Sequence, residues 1–186
     1  ILDMVDNNTL ALKNECSSFF LCLEKGKIVT PDDVDSFLTH NREENAFTLF
    51  KQMTAPADTP EKRFSDSLEV LQGIRLSKDN SSVMIIAGLS SCFRKLVLWH
   101  KLQNESNGGY GADEMTLKTN GFGSNLLQNQ YRKAAKIWTI GQATAILAIL
   151  ASTDMQIRSG GTLMEDLLLQ KMLFEIIVKK GATLAT

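Results

Sequence analysis

The most reactive side chains in this sequence are three cysteines and two histidines, and their spacing limits the chemistry open to them. Cys16, Cys22 and Cys92 form no CxxC pair, and His40 and His100 lie far from one another. A zinc site gathers four nitrogen or sulfur ligands, usually from closely spaced pairs, so no metal centre is expected here. An odd cysteine count in this pattern fits reduced, buried thiols better than a disulfide framework. His100 follows Trp99 at the end of an apolar stretch, and His40 lies in a polar junction. Neither has an acid at a spacing that would orient it as a general base. Asp32 and Asp33 come just after Thr30-Pro31, where acids serve a helix N-terminus. No catalytic, cofactor-binding or metal-binding residue is expected.

Two glycine-rich stretches, Gly108–Ala112 and Gly121–Gly123, raise the possibility of a phosphate cradle. A cradle needs a strand leading through the loop into a helix, and no such strand precedes either stretch, so both read as surface connections. Basic residues gather as Arg94, Lys95 and Lys101 and as Arg132, Lys133 and Lys136. Without interleaved aromatics they read as solvated helix sides, with some capacity to follow an anionic backbone or an acidic neighbour. The stretch "ASTDMQIRSGG", residues 151–161, places an acid, a base and two glycines at the end of an apolar helix. Asp154 and Arg158 stand four apart on one face, where they pair; Arg158 complements the helix dipole, and Gly160 or Gly161 supplies a left-handed stop. This is the signature of a helix terminus, not of a catalytic corner.

The elements that carry these residues are helical. The chain has 186 residues, 44% hydrophobic and 22% charged, with a formal net charge of −1. That is length enough for a core without staples, and the charge gives no global basic field. Three prolines, no period-two alternation and apolar residues recurring at three and four predict an all-α fold. Helices are expected over 8–25, from Thr30, around Ala46–Met53, from Thr59-Pro60, from Ser81 or Ser82, over Ser124–Ile137, Thr139–Arg158 and Thr162–Lys180. A polar loop at Gln103–Gly123 is expected to hold a helical turn at Asp113–Lys118. Phe64, Leu68, Leu71 and Leu76 are expected inward, as are Trp138, Leu163, Leu167 and Phe174. Leu96 and Trp99 read as core or interface. The most apolar window, Ala143–Ala151, is about half of the ~20 residues a membrane crossing needs, and acids rather than a basic region follow Ile1. A cytoplasmic protein with no membrane partner is the expectation. Several helices are apolar over more than one face, which suits contact with other subunits.

The order of motifs resembles a known family. "YRKAAKIWTIGQATAIL" followed by "LASTDMQIRSGGTLMEDLLLQKMLFEII" is similar to the end of the delta subunit of the bacterial DNA polymerase III clamp loader. The matching positions are Trp138, Thr139, Asp154, Arg158, Gly160–Gly161 and Glu165. "LKNECSSFFLCLEKGKIVTPDDVDSFL" and "VMIIAGLSSCFRKLVLWHKL" resemble the family's lid and a basic-leucine helix. Ser17 and Ser18 depart from it, as does the glycine-rich loop. The resemblance implies a small helical lid domain over Ile1–Thr39 and a helical collar domain over His40–Thr186. It also implies an upstream domain that meets the sliding clamp, and no ATP hydrolysis. The implied partners are the other loader subunits, joined collar to collar during DNA replication, with room for DNA contact in the full complex. The alternative is a helical ligand-sensing domain around a small apolar molecule, which predicts an enclosed cavity lined by Met and Phe.

Overall fold

The computed structural model describes residues 46–76, 81–105, 111–160 and 164–182, together with 13, 17, 20 and 30. The chain divides into two compact units, Ile1–Glu43 and Glu44–Thr186. In the first, Lys13, Ser17 and Phe20 are helical, and the Ser17 hydroxyl donates to the Lys13 carbonyl at 2.8 Å. Cys16, Cys22, the helix start at Pro31–Asp33 and His40 lie outside the described residues, as does Leu163.

The second unit is all-α. Its described residues form seven helices and no strand: α1 (Ala46–Met53), α2 (Pro60–Leu76), α3 (Ser82–Glu105), α4 (Glu114–Thr119), α5 (Asn125–Ile137), α6 (Ile140–Gly160) and α7 (Glu165–Ile177). Local capping sets several of these starts. Asp113 accepts from the Thr116 N–H and opens α4, and Ser124 accepts from the Leu127 N–H and opens α5. At α6 the exchange is reciprocal: Thr139 Oγ1 accepts from the Gln142 N–H, while Gln142 Oε1 accepts from the Thr139 N–H. This capping box satisfies two otherwise orphaned donors.

Helices α3 and α6 run antiparallel through the middle of the unit. The N-terminus of α3 meets the start of α7 through Ser82 and Glu165, and its C-terminal part meets the start of α6 through His100 and Trp138. Around them lies a core whose largest side chains are aromatic. Phe50, Phe93 and Trp138 form one group, with centroids 5.2–6.3 Å apart, and Trp99, Phe122 and Tyr131 form a second at 5.2–6.5 Å. Phe50 and Tyr131, at 5.7 Å, join the two. Such edge-on and offset contacts add to the burial that drives packing. Trp138 is fully buried, yet its indole N–H is satisfied by the Ile176 carbonyl at 3.0 Å.

Some expectations are corrected. Leu76 is 86% exposed and Leu167 58% exposed, not inward. On α7 the inward arc is Leu169, Met172, Leu173 and Ile176; at about 100° per residue, Leu167 sits roughly opposite Leu169. Phe174 is half-buried, edge-on to Phe64. Gly160 is the last residue of α6 and does not take positive φ, so it supplies no left-handed stop; Gly161 lies outside the described residues. The left-handed reversal comes instead after α7, where Lys180 and Gly181 have φ of 51° and 93° and the Gly181 N–H reaches the Glu175 carbonyl. Two helices, Ser82–Asn104 and Ile140–Gly160, are long and apolar enough to cross a membrane by length and composition, unlike the short window read from sequence. Both contribute core residues to the bundle, Ile85 and Leu96 from α3 and Ile146 and Leu150 from α6.

One backbone approach admits no larger residue. A methyl group at Gly88 of α3 would collide with the Ala46 side chain at the start of α1. Gly88→Ala should destabilise the protein by about 1–3 kcal/mol through overpacking. Pairing it with Ala46→Gly should recover most of that loss, as read from urea midpoints of the two variants.

Candidate functional site: an apolar bundle end

The described reactive residues take structural places. His100 is half-buried, and its Nε2 donates to the Trp138 carbonyl at 2.9 Å, which fixes the junction of α5 and α6 against α3. Cys92 is buried beside the Tyr131 hydroxyl, with which it is hydrogen-bonded. Burial pushes its thiol up from 9.0 to about 12, against a weaker downward pull from Lys95. Burial also raises the Tyr131 phenol, with Cys92 adding to the effect. A thiol held this firmly neutral is a packing group, since the thiolate is the nucleophile. Among the described residues no three His, Cys, Asp or Glu side chains are grouped to hold a metal ion. Asp154 and Arg158 pair at 2.8 Å, as their spacing predicts.

The unusual surface lies where α2 ends, α3 and α7 begin and α6 ends. Arg75, the penultimate residue of α2, binds both acids in the first turn of α7: Glu165 at 3.2 Å and Asp166 at 2.9 Å. The Ser82 hydroxyl, at the start of α3, donates to the same Glu165 at 2.5 Å. One guanidinium fork and one carboxylate thus fasten three helix ends, and the acids also suit the positive end of α7.

Exposed apolar side chains occur at the ends of the same helices. Leu76 ends α2, Met84 lies in the first turn of α3, Met155 in the last turns of α6, and Met164 and Leu167 at the start of α7. Five of the eight large hydrophobic residues exposed among the described residues therefore belong to one end of the bundle. An open groove of about 290 Å³ between α2 and α7 adjoins it, lined by Leu68, Leu71 and Leu76 and closed at its polar edge by Arg75 and Asp166. Flexible methionines and leucines thus stand exposed beside a fixed ionic clasp. Sequence reasoning missed this end. It placed Leu76 and Leu167 in the core, and nothing local marks Arg75 as the partner of residues in α7.

The fold and this surface define a class: an all-α bundle that presents one apolar end. No protein-family model and no solved structure matches the chain. It is 46% identical over 52 residues to a protein of Treponema pallidum (strain Nichols) described as an uncharacterized protein. Those residues are 28% of this chain and 68% of that protein, and the chain belongs to the same family.

Two outcomes follow. Arg75→Ala should cost about 1–2 kcal/mol, between an exposed and a buried ion pair, and the loss should shrink in high salt. The second concerns pH. The folded state keeps Cys92 and Tyr131 protonated where the unfolded state ionises them, so the unfolded state binds fewer protons above pH 9 and stability falls as pH rises. Cys92 alone should account for roughly 2 kcal/mol between pH 8 and 10.5. Urea midpoints should show a correspondingly shallower fall in Cys92→Ala.

Proposed function

We propose that this chain is the lid and collar region of a delta-type subunit of the bacterial DNA polymerase III clamp loader. In this reading it is a non-catalytic assembly piece that joins its sibling subunits during DNA replication. The observation that carries the reading is the gathering of Leu76, Met84, Met155, Met164 and Leu167 at one end of an otherwise well-filled bundle. Apolar area left in water at one place, with a preformed polar clasp beside it, is what a subunit contact uses.

The positions that carry the resemblance support it by what they do. Trp138 anchors the turn into α6 to α7, Thr139 caps α6, Asp154 and Arg158 pair near its end, and Glu165 joins α7 to α2 and α3. They are the residues that set how the last three helices lie together. The ligand-sensing alternative calls for a closed chamber lined by Met and Phe. The groove at α2 and α7 is open, and leucines, two glutamines and an ion pair line it.

Mixed with the remaining clamp-loader subunits of the same organism, the full chain should co-elute with them in size-exclusion chromatography. Leu76→Ser combined with Leu167→Ser, both at exposed positions, should weaken that association at least tenfold while leaving helix content and Tm unchanged. If the wild-type chain and the other subunits elute apart at micromolar concentration, the reading is overturned. If the double variant assembles like wild type, the apolar end is not the contact and the observation that carries the reading is lost.

A further inference from the structure

Charge in the second unit is distributed unevenly. Helix α5 holds Arg132, Lys133 and Lys136 and no acid, and α3 holds Arg94, Lys95 and Lys101 and a single acid, its last residue Glu105. These two helices pack on one another through Cys92 and Trp99 against Tyr131. All of these bases are exposed except Lys95, which is half-buried next to Cys92 on the flank of α3 that faces α5. Arg94 and Lys101 are two turns apart on the outer arc of α3, about 10 Å along its axis; Arg132 and Lys136 are one turn apart on α5, about 6 Å. None of the six forms an ion pair with a described carboxylate. The acids that follow α3 in the chain are otherwise engaged: Asp113 caps α4, and Glu114 pairs with Lys118 at 2.7 Å.

Like charges at helical spacing repel, so the arrangement is unfavourable in the free protein. The chain as a whole is nearly neutral, so this is segregation and not a general basic composition. We infer that the outer faces of α3 and α5 bind the sugar–phosphate backbone of a nucleic acid.

The surroundings favour this partner over an acidic protein. Between Arg94 and Lys101, and between Asn129 and Lys136, no large apolar side chain is exposed, so the apolar anchors of a protein interface are missing there. Neutral hydrogen-bonding groups accompany the bases: Ser91 is exposed on α3, and Asn129 on α5 accepts from Arg132 at 2.6 Å. Phosphate oxygens are commonly met by such mixtures of cation, amide and hydroxyl. With no exposed aromatic on these stretches base stacking contributes nothing, and contacts to the sugar–phosphate backbone carry no direct sequence information. The inference rests on the charge pattern alone and stands whether or not the assembly reading holds.

The test is fluorescence anisotropy of the full chain with a labelled 30-base-pair duplex of mixed sequence, repeated across salt concentrations. Binding is expected with a log–log salt slope between about −3.5 and −5.5, the release expected for about four to six phosphates. Exchanging Arg132, Lys133 and Lys136 together for Glu should weaken binding at least tenfold. The same charge change at Lys62, Lys118 and Lys171, on other helices, should leave it within twofold, with both variants checked for unchanged helix content. Absence of salt-dependent binding, equal losses in the two triple variants, or wild-type affinity in the first would each overturn the inference. So would competition by polyglutamate as effective as unlabelled duplex at equal charge, which would assign the face to an acidic protein.

Discussion

The bundle depends on burying Trp138 without stranding its N–H. The indole lies fully buried against Phe50 and Phe93, from α1 and α3, at the point where α5 turns into α6. Its donor reaches the carbonyl of Ile176 on α7. Burial of a ring this size contributes a large hydrophobic gain, and an unsatisfied N–H would cancel much of it. The hydrogen bond therefore couples the largest apolar contribution in the core to one placement of α7. His100 ties the Trp138 backbone to α3, so a single residue sets the positions of three helices.

Local chemistry made much of this legible in advance. Asp113, Ser124 and Thr139 announce the starts of α4, α5 and α6 because a cap needs only its own next three residues. Asp154 and Arg158 announce their pairing because helical geometry alone brings positions four apart together. The all-α class follows from apolar spacing, which strands do not share.

What stayed hidden depends on neighbours distant in sequence. Arg75 and Asp166 are 91 residues apart, and Ser82 and Glu165 are 83 apart. No periodicity signals those meetings. Leu76 and Leu167 look like core residues in any window around them; they are exposed because the stripe each helix turns inward is set by where its partners lie. The same separation applies to function. The exposed apolar end is assembled from several helices and exists as no motif, whereas each basic cluster lies within one helix and was legible in the sequence. The two surfaces also differ in kind, one carrying exposed apolar side chains and the other basic ones.

The Arg75 clasp has a consequence for how the chain is threaded. At that corner α2 ends beside the starts of α3 and α7, and side chains hold the three ends together in addition to the peptide links between consecutive helices. Continuity of the backbone there is partly redundant with the clasp. A break opened between α2 and α3 would leave the same ends fastened to one another, which makes this corner the natural place to split the polypeptide.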